Sequence, residues 1–349
     1  MQERIAKRRL SGVLSTSPAS WYYLTGFTGE AGALLVSSKG SWLVTDGRFA
    51  SQAKEETSGL RVVRQEESLM ATMGKLLRGR SRSRIGFDAT QLSVAQFRAL
   101  RKAAGARVRW VRADGEVEKG RQRKDPVELA QMREAALLAG EVLSAAIKIL
   151  KPGVREIEVG AEIEYQMRRR GASGPAFESI VAFGARSAHP HARPTGKPLR
   201  KNELVVLDLG AILAHYCSDI TRTVFVGRAP ARIRRWYGAV QEAQAAAVAA
   251  ARAGISCGDV DAAARGVLAH YRLDHYFVHS TGHGLGLEVH EDPRVARGQK
   301  HVLVPGNVIT IEPGIYIPGV GGIRIEDDVA VHADRTEVLT RVPRDLVEI

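Results

Sequence analysis

Apolar and polar residues alternate with two different periods in the first third of the chain. The apolar runs GALLVSS, GSWLVTD and RVVRQ predict strands, whereas the spacing in LMATMGKLLRG and SVAQFRALRKAAG predicts helices. Because strands and helices alternate here, residues 1–122 are expected to form a small α/β domain.

A long helix is predicted at the start of the second part, residues 123–349. Asp125 is the expected N-cap, Pro126 takes the first helical position, and Glu128 follows three residues after the cap. The helix is expected to end at KPG, residues 151–153. Further helices are predicted around 156–170 and 231–253, and the strand runs are ELVVLDLGAIL, SDITRTVFVG, NVITIEPGIYI and GGIRIEDDVAVHA.

The composition fits a globular protein of a reducing compartment. The chain has 349 residues, 44% of them hydrophobic, and two cysteines, Cys217 and Cys257, that lie far apart. This spacing gives no disulfide framework. No apolar run resembles a signal peptide or reaches the roughly 18 residues of a membrane span. We therefore expect a cytoplasmic protein without membrane attachment.

The formal net charge of +13 raises the question of nucleic-acid binding. The basic residues are scattered, with clumps at 78–84 and 121–124, and we find no helix-turn-helix, finger or RNA-binding signature. We expect an arginine-rich solvated surface and no specific nucleic-acid partner.

Two aspartates mark the first candidate site. Asp208 and Asp219 lie 11 residues apart in two apolar strand runs that a short polar segment joins. A hairpin centred between Leu213 and Ala214 would place the two carboxylates directly opposite each other, on one face.

A second hairpin repeats this arrangement with glutamates. Pairing about Gly319 sets Glu312 opposite Glu326. An unpaired carboxylate in an apolar strand costs several kcal/mol, so four such acids indicate bound cations. The alternative is that arginines such as Arg222 or Arg324 neutralise the acid pairs.

The glycine-rich stretch HSTGHGLGLEVHEDP, residues 279–293, adds histidines to the acids. Its glycines would let His283 approach metal ions where bulkier neighbours would clash. A ligand set of carboxylates with one imidazole is typical of sites that bind Mn²⁺, Co²⁺, Fe²⁺ or Zn²⁺. It is not typical of structural zinc sites, which prefer sulfur and nitrogen ligands.

Together, several runs resemble the pita-bread metallopeptidases, and most of all their proline-specific branch, aminopeptidase P and Xaa-Pro dipeptidase (prolidase). The runs are FESIVAFGARSAHPHARPT, VVLDLG, YCSDITRTVFVG, STGHGLGLEVHEDP, ITIEPGIYI and GGIRIEDD. The resemblance covers residues 123–349 densely, and YYLTGFTGEAGALLV and LVTDGRF look like that branch's N-terminal domain. It implies an α+β chain with two domains. A smaller creatinase-like α/β domain, residues 1–122, is followed by a C-terminal pita-bread (creatinase/aminopeptidase-like) catalytic domain, residues 123–349.

The resemblance also implies two divalent metal ions per chain, Mn²⁺, Co²⁺ or Zn²⁺. Asp208 would bind one ion, His283 and Glu312 the other, and Asp219 and Glu326 would bridge both. The ions would activate the attacking water, and Glu312 would also move its proton.

Four further residues receive roles from the resemblance. His191 and His290 would be catalytic, stabilising the substrate carbonyl or the tetrahedral intermediate. His279 would line the substrate pocket. Arg324, grouped with the substrate-binding residues, would orient Glu326 or an acidic neighbour.

The length of the substrate depends on Arg294. An arginine there could clamp the carboxylate of a terminal proline, as a dipeptidase requires, with Arg297 as a second candidate and a plain surface arginine as the alternative. The short chain and LTGFTGEAG look more like aminopeptidase P. We therefore expect a homodimeric, dinuclear metal-dependent Xaa-Pro peptidase acting on proline-containing peptides, leaning to aminopeptidase P. Xaa-Pro dipeptidase is the alternative, and a non-catalytic module binding protein or nucleic acid is a remoter one.

Overall fold

The chain divides into two compact units, Met1–Arg121 and Gln122–Ile349, here called the N-terminal and the C-terminal unit. The computed structural model describes residues 1–78 and 83–349, so most of the basic run 78–84 lies outside the described residues. Within the described ranges, no helix is both long and apolar enough to cross a membrane.

The N-terminal unit is built on a mixed sheet with the strand order β4-β3-β2-β1-β5-β6. Strands β1 and β5, β5 and β6, and β3 and β4 pair in parallel, and the other neighbours are antiparallel. The elements are α1 Gln2–Lys7, β1 Gly12–Ser15, α2 Pro18–Thr25, β2 Ala33–Ser37, β3 Gly40–Thr45, α3 Ala50–Glu56, β4 Arg61–Arg64, α4 Leu69–Arg78, β5 Ser83–Phe87, α5 Val94–Ala104, β6 Val108–Arg112 and α6 Glu118–Arg121. The strands and helices predicted for this part are confirmed at β2, β3, β4, α4 and α5.

Helices also cover the sheets of the C-terminal unit: α7 Pro126–Lys148, α8 Glu156–Arg169, α9 Ala231–Ala250 and α10 Cys257–His270. The predicted capping box opens α7, because Asp125 accepts from the N–H groups of Val127 and Glu128 at 2.8 and 2.9 Å. Helix α9 ends at Ala250, a few residues before its predicted end. Helix α10, which Ser256 caps, was not predicted from the sequence.

The strands of this unit are β7 Gly174–Pro175, β8 Ile180–Phe183, β9 Leu204–Leu209, β10 Ala211–Leu213, β11 Tyr216–Cys217, β12 Ile220–Phe225, β13 Gly282–Gly284, β14 Glu291–Val295, β15 Val308–Ile311, β16 Gly314–Ile317, β17 Gly321–Arg324, β18 Asp327–Val331, β19 Thr336–Val338 and β20 Val347–Glu348. They form sheets in the orders β20-β12-β9-β8, β14-β13-β15-β18-β19, β11-β10-β7 and β16-β17. Each long predicted strand run is thus present, and three of the four are broken in two.

Strand alternation determines which residues face the helices. Leu207 and Val224 pack with α7 and α8, while Ile309 and Val329 pack with α9 and α10. Successive side chains of a strand point to opposite faces. Asp208, one residue after Leu207, therefore points away from the helices that cover its sheet.

Candidate metal centre

The first acid hairpin turns one residue later than predicted. Ala214 and His215 occupy the turn with φ of 48° and 71°, a conformation that tight hairpins favour. Asp208 consequently pairs with Thr221, and the prediction that it stands directly opposite Asp219 is wrong. The register changes by two residues, however, and a two-residue change keeps the same face. Both aspartates therefore still point to one side of the sheet.

The second acid hairpin has the predicted register. Ile311 pairs with Asp327 and Gly314 with Arg324, so the flanking pairs set Glu312 across from Glu326.

Both glutamates lie where the second hairpin passes from one sheet into the next, and their backbone N–H groups donate to residues outside this hairpin. The Glu312 N–H donates to Thr281 O at 2.8 Å, and the Glu326 N–H donates to Thr221 O at 3.1 Å. The second bond fastens this hairpin to the strand that follows Asp219, which brings the two acid pairs together.

His283 approaches the acids from β13, the strand between β14 and β15. A Cβ at Gly282 would overlap the Thr310 carbonyl oxygen, and a Cβ at Gly284 would overlap that of Asp292. The glycines flanking His283 thus permit close strand packing, which differs from the expectation that they clear space around metal ions.

The hydrogen bonds of His283 select its tautomer. Nδ1 lies 3.0 Å from Gly284 O, and because a carbonyl can only accept, the proton is on Nδ1. The unprotonated Nε2 points at the acids, 3.4 Å from Glu312 Oε1 and 3.8 Å from Asp219 Oδ2. Burial lowers the pKa of His283 to about 4. A neutral imidazole held by a carbonyl is the form that binds metal ions.

The described residues also contain a compact set of ligand atoms. Asp219, His283 and Glu326 each offer one, and the three atoms lie within 4.8 Å of one another. Asp208 connects to them through Arg324, which forms an ion pair with Asp208 and donates to Thr221 Oγ1, while Thr221 donates to Glu326 Oε2 at 2.5 Å.

Burial and mutual repulsion raise the pKa of three acids. Burial is the main cause for Asp219 and Glu326, and neighbouring carboxylates raise both further. Burial also raises the pKa of Glu312 to about 8, although Arg324 opposes the shift. The cluster carries more negative charge than its arginine neutralises.

The acids fit divalent metal ions. Oδ1 of Asp208 and Oδ1 of Asp219 are buried and have no hydrogen-bond partner among the described residues. Buried carboxylate oxygens without partners are costly, and a hard cation coordinated by these oxygens and one imidazole would satisfy them.

Arg324 lies deep in the site, 3% exposed. It donates to Tyr316 Oη at 2.6 Å, and that hydroxyl lies 2.8 Å from Nε2 of His279, whose Nδ1 faces Ser280 O. Burial lowers the pKa of His279 to about 4. These contacts make Arg324 a support for Asp208 and His279, which agrees with the expectation that it orients an acidic neighbour. Its burial argues against grouping it with the residues that touch substrate.

The other predicted residues lie on the rim. The rings of His290 and His283 are 4.4 Å apart between centroids. Partial burial and the nearby His191 lower the pKa of His290. Arg294 is exposed on β14, the strand that pairs with β13, although the register between the two strands shifts at His283. Among the described residues, no hydrogen bond or ion pair engages Arg294.

Several supporting residues were not predicted from the sequence. Thr221 and Tyr316 connect the arginine to the site, and Asp328 accepts the Asp219 N–H at 3.0 Å. Asp261 of α10 holds Thr281 through its N–H and its hydroxyl. Thr221 and Asp328 each lie two residues after a proposed ligand, Asp219 and Glu326, so the alternation of side chains along β12 and β18 could have indicated them. No sequence pattern pointed to Asp261.

Comparison with known proteins places this site in a family. The model of metallopeptidase family M24 matches residues 130–333, and that of the Creatinase/Prolidase N-terminal domain matches residues 1–123. The fold class expected from the resemblance is thereby confirmed.

Relatives with functional names cover nearly the whole chain. The Xaa-Pro dipeptidase of Pyrococcus horikoshii is 37% identical over 346 residues, 99% of this chain and 97% of that protein. The solved structure of an Xaa-Pro dipeptidase from Bacillus anthracis has a TM-score of 0.95 at 37% identity and covers 99% and 98% of the two chains. That of an X-Pro aminopeptidase from Thermotoga maritima has a TM-score of 0.91 at 32% identity and covers 100% of both. The dipeptidases are the more similar, so the comparisons do not support the preference for aminopeptidase P over Xaa-Pro dipeptidase.

Proposed function

The chain belongs to metallopeptidase family M24, and from this membership we propose that it is an Xaa-Pro dipeptidase, which hydrolyses the bond between an N-terminal residue and a C-terminal proline. The observation that carries the proposal is the similarity to named Xaa-Pro dipeptidases over 99% of the chain. Arg294, exposed on β14 next to the strand of His283, adds a group of the right charge for the carboxylate of such a proline.

The metal set we propose is Asp208, Asp219, His283, Glu312 and Glu326, holding two ions of Mn²⁺, Co²⁺ or Zn²⁺. Divalent ions at such a site activate a water and polarise a carbonyl. Metal analysis of protein purified without chelator tests the number and identity of the ions, and two equivalents per chain are expected.

The surrounding side chains are proposed to handle substrate and protons. Glu312 takes a proton from the attacking water at a carboxylate oxygen and passes it to the leaving proline nitrogen. His191 and His290 donate to the oxygen that gains charge in the intermediate. His279, held by Tyr316, lines the pocket, and Arg324 keeps Asp208 in place from below.

The substrate proposal is tested with a matched series of Xaa-Pro, Xaa-Pro-Yaa and longer peptides. The protein should cleave Xaa-Pro and leave Xaa-Pro-Yaa nearly untouched. Equal or faster cleavage of the tripeptides would identify an aminopeptidase P instead, the second candidate, for which the similarity to the Thermotoga maritima enzyme speaks.

Replacement of Arg294 by alanine tests the carboxylate contact. A charge-assisted hydrogen bond contributes about 1.5–3 kcal/mol, so KM for Xaa-Pro should rise roughly 10- to 100-fold. Arg297→Ala, the other exposed arginine of this segment, is the matched control and should change KM little. Equal effects of the two substitutions would contradict the assignment.

The family commonly forms dimers according to the resemblance, and we propose a homodimer here as well. Light scattering on the purified protein should give twice the chain mass of 37.9 kDa. The mass of a single chain would contradict it.

A further inference from the structure

The positive charge of this protein is concentrated in its N-terminal unit. Residues 1–121 contain 22 Lys and Arg against 11 Asp and Glu, a net charge of +11, whereas residues 122–349 contain 29 against 27, a net charge of +2. Most of the total of +13 therefore belongs to the unit that lacks the candidate metal ligands. A generally arginine-rich surface would have spread the excess over both units.

Part of this charge lines one concave surface. Arg98, Arg101 and Lys102 of α5 border a cleft of about 620 Å³ together with Trp110 of β6. The three cations are exposed, and Arg101 and Lys102 follow Arg98 by three and four residues, which puts both on the same side of the helix as Arg98. We call this surface the cationic cleft.

The charges of the cationic cleft are not neutralised by ion pairs. Among the described residues, no carboxylate lies within ion-pair distance of Arg98, Arg101 or Lys102. Glu67 is close enough for Lys102 to affect its pKa, but Glu67 already bonds to Lys75 at 2.8 Å. The cleft therefore presents cations that can meet an anionic ligand.

Trp110 gives the cleft a fixed aromatic wall. Its ring contacts Phe87 and Phe97 edge-on, with centroids 6.0 and 5.7 Å away, and Phe87 and Phe97 stack at 4.5 Å. The guanidinium of Arg101 lies 5.8 Å from the Phe97 ring. Cations that flank a rigid, half-buried indole fit a chain of phosphates carrying planar bases.

We propose that the cationic cleft binds single-stranded nucleic acid without sequence preference. The three cations contact successive phosphates, and a base packs against Trp110. An anionic membrane fits less well, because a lipid headgroup layer offers no planar base to pack against Trp110, which borders the cleft together with the cations. This binding is separate from the peptidase site and does not depend on its function.

The test measures fluorescence polarisation of a labelled 15-nucleotide oligouridine with the full-length protein over a salt series. Three phosphate contacts predict a slope of log K against log salt of about −2, since each contact on a single strand contributes about −0.7. Replacing all three cations, Arg98→Gln/Arg101→Gln/Lys102→Gln, should remove most of this slope and weaken binding at least tenfold at low salt.

The matched control replaces three other exposed cations of the same unit, Lys39→Gln/Lys54→Gln/Arg61→Gln. It lowers the net charge equally but should leave at least half of the affinity. Equal losses in both triple variants would show that overall charge and not the cleft is responsible, and would overturn the proposal.

Two further measurements test the choice of ligand. Trp110→Leu keeps apolar packing but cannot stack, so it should weaken oligouridine binding about tenfold and leave binding of inorganic polyphosphate unchanged. Equal affinity for both ligands in the wild type would overturn the nucleic-acid assignment, as would a preference for anionic vesicles. If the variant with all three cations replaced melts at a lower temperature but binds oligouridine as well as the wild type, the cations only stabilise the helix and the proposal is overturned.

Discussion

Replacing Asp219 by asparagine should make the metal-free protein more stable than the wild type and the metal-loaded protein less stable. Asparagine has nearly the same shape as aspartate, so the substitution mainly removes a charge. In the metal-free protein that charge is buried among other carboxylates. With metal bound, the same charge becomes an attraction, and its loss weakens binding.

The size of the effect follows from the geometry. A ligand atom of Asp219 lies within 4.8 Å of one on Glu326. Two unit charges at this distance repel by about 3.5 kcal/mol at an effective dielectric constant near 20. Proton uptake relieves part of this repulsion, because burial and the neighbouring carboxylates already raise the pKa of Asp219. We expect Asp219→Asn to add about 1–3 kcal/mol to the metal-free free energy of unfolding at pH 8.

The sign of the pH dependence is also determined. A carboxyl group whose folded pKa lies above its unfolded value favours folding at low pH and loses that contribution as the pH rises. Metal-free wild type should therefore lose stability between pH 5 and pH 8, and the advantage of Asp219→Asn should grow over the same range.

Urea denaturation of chelator-treated and Mn²⁺-saturated protein measures both states. Asp261→Asn serves as the control, because Asp261 is equally buried but pairs with Arg265 at 2.7 Å. That variant should lose stability with and without metal. A metal-free Asp219→Asn protein less stable than the wild type at pH 8 would refute the view that the cluster is a repulsive site awaiting cations.

Two predictions concern supports outside the cluster. Hydrogen bonds from Arg133 lower the pKa of Glu337 to about 2. Glu337→Gln should therefore lower the free energy of unfolding by about 2 kcal/mol at pH 7, and by progressively less as the pH falls from about 4.5 toward 2. If urea denaturation gives the same loss at every pH, this prediction is wrong. Lys124 and Glu291 form a buried pair at 3.1 Å beside His290. Lys124→Met should lower the free energy of unfolding by about 3–5 kcal/mol and should lower kcat more than it raises KM. If the stability losses of Lys124→Met and Glu291→Gln simply add in a double-mutant cycle, the two side chains are not coupled.

Local signals determined much of the fold. The capping box at Asp125 and Glu128 set the start of α7 because capping depends on a few adjacent residues. Period-two patterns located the long strands of the C-terminal unit. The second hairpin has its predicted register because its turn contains Gly319, and a glycine readily adopts the positive φ of 76° found there. The first did not, because Ala214 and His215 carry no sequence signal for the positive φ that they adopt.

The supports of the site depended on the tertiary structure. The sequence placed acidic residues in apolar strands, and alternation put each pair on one face whatever the turn. It could not show that Arg324 would bind Asp208, or that Thr221 would connect that arginine to Glu326. These contacts join positions about 100 residues apart, and sequence patterns report only local periodicity. The sequence alone therefore determined which side chains could hold metal ions, whereas the packing of two sheets decided which atoms meet, which remain without partners and which carry raised pKa values.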